Sequence, residues 1–209
     1  MKDRKVSSRL SFPEEEKLKP WLPLLLDAYA IIDKGISAAI QDHEKKSRSK
    51  LACKKGCGQC CRTHSDIPLY PLEMVGIYWF TIEKLGQPLR GIVKKQLLEH
   101  RKSRPCPFQV DNACAIHIFR PIACRQFNVF AVPCAEGEDT YYTRRKDVLT
   151  PSQEITNRAI MVMLPFYGVT DEAAKARAVK TGFIHTQVHV LQECNWKELG
   201  IKMSQFDIP

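Results

Sequence analysis

The sequence lacks an apolar leader: its first nineteen residues are polar and charged, where a secretion signal needs a hydrophobic stretch. It also lacks an uninterrupted run able to span a membrane, because Asp27, Asp33 and Lys34 break the apolar segment from Trp21 to Ile40. These two absences predict a cytoplasmic protein with no membrane insertion. There is no Gly-rich phosphate loop and no methyl-donor motif. No local Ser/His/Asp or Cys/His arrangement argues for nucleophilic catalysis. Internal repeats and low-complexity tracts are absent. So are the spacing of a Cys2His2 finger and the C-x2-C-x2-C-x3-C-P run of bacterial ferredoxins.

Cysteine is what the chain has in excess, with nine among 209 residues. The odd count rules out complete internal pairing, and the density stays below the roughly 8–10% of small disulfide scaffolds. Eight of them fall in two groups. Cys53, Cys57, Cys60 and Cys61 read C-x3-C-x2-C-C, and Cys106, Cys114, Cys124 and Cys134 follow at eight- to ten-residue steps. In a reducing cytosol such clusters point to metal or redox chemistry before structural disulfides. An all-sulfur donor set selects zinc, an iron–sulfur cluster or Cu⁺ over Mg²⁺ or Ca²⁺. Cys57-Gly58-Gln59-Cys60 has the spacing of a metal knuckle, and Gly58 permits the tight backbone it requires. Cys60 and Cys61 are adjacent, so they point in different directions and serve different ions, or one of them bridges. Cys194 stands alone and reads as a small buried hydrophobe.

Helical spacing of Leu22, Leu25, Leu26, Tyr29, Ile32, Ile36 and Ile40 predicts a long helix from about Leu22 to Glu44. A basic run follows, Lys45, Lys46, Arg48, Lys50, Lys54 and Lys55. Further helices are predicted over 71–85 and 88–101, and a short one opened by Pro121 that carries Cys124. Asp111-Asn112 between short apolar runs predicts a small hairpin. Residues 135–151 read as a charged loop and Ser152–Met163 as a helix. Thr170 is expected to cap a longer helix, and Asn195 a last short turn at Trp196. His64 is expected to be solvated. Arg120 and Arg125 are expected to offset thiolate charge or form a salt bridge within the motif.

Cys57-Gly58-Gln59-Cys60-Cys61, Cys106-Pro107-Phe108 and the stretch Cys114 to Phe127 together resemble the YkgJ-type cysteine-cluster family, a zinc- or iron-chelating domain. The resemblance covers about residues 53–134. It implies a metal-ligating role for Cys53, Cys57, Cys60, Cys61, Cys106, Cys114, Cys124 and Cys134. The chain departs from the family pattern in two places: the first gap holds three residues rather than two, and His117 replaces the usual tyrosine. His117 is taken as a packing substitute for that tyrosine. A related cluster in flagellin lysine methylases implies that an enzymatic context exists for it.

The expected fold is mainly α, with helices around an irregular cysteine-rich metal-binding segment that contains a short β-hairpin. The expected organisation is a polar tail over 1–20, the cysteine-cluster domain with its N-terminal helix over 21–134, and a helical extension over 135–209 packed on the same domain. The expected function is metal binding at one or two thiolate sites, zinc or iron–sulfur, in an accessory or chelating role. The alternatives are an Fe–S-dependent redox or methyl-transfer enzyme and a basic nucleic-acid-binding zinc module. The formal charge of +9 favours the last. However, a divalent ion in four thiolates carries about −2, which brings the total to about +7 for one site and about +5 for two. Metal is therefore the expected partner and nucleic acid is not.

Overall fold

A computed structural model describes residues 9–54, 56–101 and 105–207. The chain is mainly helical, and the central element is α2 (Trp21–Ser47), which follows the short α1 (Pro13–Leu18). Leu22, Leu25, Leu26, Tyr29 and Ile32 form one stripe on α2 and are almost fully buried, as a 3.6-residue period requires. The helix ends at Arg48 in a left-handed conformation. Then come α3 (Gln59–Thr63), strand β1 (Pro68–Leu69) and α4 (Pro71–Trp79), which continues through a wide turn at Phe80–Lys84. α4 crosses α2 closely at Gly76, where a Cβ would lie 2.2 Å from Leu25 Cδ2. α5 (Leu89–Leu98) leads to β2 (Gln109–Val110) and β3 (Ala113–Cys114), followed by α6 (Ile122–Gln126).

The β2–β3 pair is the expected hairpin. Asp111 and Asn112 both take positive φ (47° and 60°), the conformation that a two-residue turn between twisted strands demands. A second antiparallel pair was not expected: β1 joins β4 (His189–Val190), with Pro68 opposite Val190. Two residues per strand are too few to show a period, so only the fold reveals this pairing.

The remaining helices are α7 (Thr140–Thr143), α8 (Gln153–Met163), α9 (Glu172–Thr181) and α10 (Trp196–Phe206). α8 packs on α2 and α10 on α5. Trp196 is buried, edge-on to Phe108 of the cysteine segment at 4.8 Å. One apolar core therefore runs from α2 to Met203.

Several local expectations need correction. The described part of the tail, 9–20, is docked: Phe12 lies edge-on to Trp79 at 5.2 Å, and Arg9 bonds Glu16 at 2.8 Å and also Asp27. One aromatic anchor outweighs the polar composition around it. Residues 1–8, Lys55 of the basic run, and residues 102–104 and 208–209 lie outside the described residues. The segment 135–151 holds α7 and a 3₁₀ turn, tied by Arg144 to Glu138 and Asp147. Asp171, not Thr170, caps α9, accepting from Ala174 N at 2.8 Å. The last helix is eleven residues long, not a single turn, and the side chain of Asn195 makes no cap bond.

Candidate metal centre

Local backbone chemistry sets each cysteine in place. Lys50–Ala52 runs beside Val129–Ala131: Ala52 N donates to Val129 O at 2.8 Å and Ala131 N to Lys50 O at 2.9 Å. Val129 N then donates to Cys53 Sγ at 3.3 Å. A turn closed by Cys57 N to Lys54 O (3.0 Å) leads into α3, one helical turn where the sequence suggested only loop, and it carries Cys60 and Cys61. Gly58 precedes it. A Cβ there would lie 2.3 Å from Gln109 Nε2 and 2.9 Å from Asn112 O, so only glycine lets the hairpin approach. Gln109 Nε2 donates to Gly58 O at 3.0 Å and Arg62 reaches Asn112 Oδ1 at 2.5 Å, which lock α3 to the hairpin. Cys106 N donates to Cys61 O at 2.9 Å, and Cys114 sits opposite Gln109.

The fold thus brings together thiols that are far apart in sequence. The Cys61 thiol adjoins those of Cys60 and Cys106. Hydrogen bonding to Cys106, then burial, pushes Cys61 up to about 12. Burial, then Cys61, pushes Cys114 up to about 12. Cys124 rises by burial and then by Cys60, Cys114 and Cys61. Cys53 rises by burial and then, against the Val129 N–H bond, by Cys57, Cys60 and Cys134. Cys134 is raised by burial and by Cys57, and Thr140 opposes the rise. Half-buried thiols that suppress one another's ionisation are a donor set suited to a cation, which stabilises the thiolates their neighbours disfavour. Among the described residues, no three Cys, His, Asp or Glu side chains already stand at metal-holding geometry.

Arg120 faces this set, favouring the ionised forms of Cys60, Cys114 and Cys124. Its Nη1 donates to His117 Nε2 at 2.6 Å, and its Nε is buried without a hydrogen-bond partner. His117 is lowered to about 4, first by desolvation and then by Arg120, and its Nε2 is engaged as an acceptor. Arg125 behaves otherwise: it is buried, bonds Asp33 at 2.6 Å and Arg120 O at 2.9 Å, and stacks over Tyr29 at 3.8 Å. Its salt bridge therefore leaves the motif for α2. Cys194 lies just before α10, its Sγ 3.3 Å from Val190 O.

Two supporting groups escaped sequence reasoning. His64 is not solvated: its Nδ1 pairs with Asp139 at 3.0 Å, and its ring meets Phe127 edge-on at 4.3 Å. Asp139 also accepts from Tyr141 N at the start of α7. Glu73 is fully buried; it accepts from Tyr70 N (3.1 Å) at the start of α4 and from Ile122 N (2.6 Å) at the start of α6. Desolvation raises it to about 7. Its place three residues after Tyr70 suggests a capping role, but nothing local shows the second helix it holds, the one bearing Cys124.

Residues 52–153 match the family model CxxCxxCC, described as "Putative zinc- or iron-chelating domain". Over that segment the chain is similar to this cysteine-cluster family, and the family description supports a metal-binding role. No curated protein and no solved structure matches the chain. Among the described residues no helix is long and apolar enough to cross a membrane.

Proposed function

We propose that the protein binds zinc or iron, the iron as an iron–sulfur centre, through Cys53, Cys57, Cys60, Cys61, Cys106, Cys114, Cys124 and Cys134, and serves as a metal-chelating accessory protein of the cytoplasm. The observation that supports this reading is the proximity of the Cys60 and Cys61 thiols of α3 to those of Cys106, of Cys114 in the hairpin and of Cys124 in α6. A zinc ion would cross-link these elements, and an iron centre would add one-electron chemistry. The chain's own part is to supply thiolates and to set Arg120 against their charge. The 135–209 region belongs to the same unit in this reading, because its helices close the core beneath the cysteines.

Purification without oxygen, followed by metal and acid-labile sulfide analysis, tests the proposal. Zinc without sulfide, or iron with sulfide, supports it and names the metal. A chain that neither carries nor takes up either metal overturns it.

A further inference from the structure

The eight clustered cysteines lie in two packing environments. Cys106 is part of the main apolar core, and Cys61, Cys114 and Cys124 pack against it; Cys53, Cys57, Cys60 and Cys134 do not. Two backbone frames coincide with this division. In one, Cys106 N bonds Cys61 O, Gln109 pairs with Cys114, and Ala115 N donates to Phe108 O at 2.8 Å. In the other, Lys50–Ala52 pairs with Val129–Ala131, and Val129 N bonds the Cys53 sulfur just upstream of Cys134. Cys57, Cys60 and Cys134 are neighbours of Cys53, and Cys106 and Cys114 of Cys61, while Cys60 also neighbours Cys61, Cys114 and Cys124.

We propose that the cysteines build two adjoining four-thiolate sites that cut across the two sequence groups: an inner one of Cys61, Cys106, Cys114 and Cys124, and an outer one of Cys53, Cys57, Cys60 and Cys134. The inference rests on the metal-binding reading above. Cys60 and Cys61 mark the seam. Successive residues of a helix project about 100° apart, so each turns to its own site. Their thiols touch, and Cys60 also influences Cys124, so the sites share a wall. Each set has the ligand count of a closed tetrahedral thiolate site. The inner site is part of the core, so its filling is tied to the fold. The outer one lies off the core, and its metal is the more exchangeable.

The test uses the full chain, stripped without oxygen and titrated with Co²⁺ alone, reading thiolate-to-cobalt absorption and bound cobalt per chain. The native chain is expected to take about two equivalents, Cys114→Ser and Cys134→Ser about one each, and the double variant none. Circular dichroism shows whether each variant folds. Cys134→Ser, off the core, decides the matter if Cys114→Ser does not fold: it must retain one equivalent. A native chain that takes a single equivalent, or a folded single variant that loses all cobalt, means one joint centre and overturns the division while metal binding stands. A native chain that takes no cobalt and carries no zinc or iron as isolated overturns the metal-binding reading itself.

Discussion

Glu73 shows how one side chain serves two elements at a cost. Its two backbone acceptor bonds hold the starts of α4 and α6, yet burial raises it from 4.5 to about 7. Between those values the folded chain keeps a proton that the unfolded chain has released. Stability therefore falls as pH rises from roughly 4.5 to about 7 and levels off above, a loss of about 3 kcal/mol. Denaturant titrations of the metal-loaded protein across that window are expected to show the decline. In Glu73→Gln this part of the slope should vanish, and an unchanged slope would mean that Glu73 does not titrate there. Metal–thiolate linkage is common to both proteins and cancels in the comparison. Cys194, bonded to Val190 O, makes the complementary case. Cys194→Ala should keep full metal occupancy and lose about 1–2 kcal/mol through packing; the loss of an equivalent of metal would make it a ligand.

At the scale of elements, the close approach of α3 to the β2–β3 hairpin decides whether thiols of the two sequence groups meet. Gly58 is the point of contact. In Gly58→Ala the new methyl group can displace the flexible Gln109 side chain but not the Asn112 carbonyl, so the hairpin must shift. The expected cost is about 1–3 kcal/mol of stability. Metal affinity, measured by competition with a chromophoric chelator, should fall with it. Equal affinity in the variant would show that the α3–hairpin spacing does not set the site. The hairpin itself was legible because Asp111 and Asn112 tolerate positive φ. The strand pair β1–β4 was not, since its partners are more than a hundred residues apart and neither carries a local signal.

For the molecule as a whole, the proposed metal binding couples metal and fold unevenly. α2, α8, α5 and α10 bury their own apolar faces and should survive metal removal. Of the described residues from Cys53 to Cys61, only Cys61 joins that core, so in the proposed reading ligation offsets most of the cost of ordering the segment. Protein stripped by acid or a strong chelator is expected to keep most of its helical circular dichroism while becoming cleavable at Lys50, Lys54 or Arg62. If verified metal-free protein resists protease there as well as the loaded form does, ligation does not order the segment.

The sequence by itself determined the sulfur-rich cysteine pattern, the helical class and the main helix, α2. These depend on side-chain type and on a periodicity that recurs within a few residues. The cysteine motif was legible for the same reason: sulfur density and spacing are properties of the chain. What only the tertiary structure decided is which distant thiols become neighbours. Cys61 meets Cys106 through a backbone bond, and Cys53 approaches the run to Cys134 through strand pairing. The docking of Phe12, the burial of His64 beside Asp139 and the double duty of Glu73 were settled at the same level. Each is a contact between segments whose partner is chosen by packing and desolvation, and no local pattern encodes that choice.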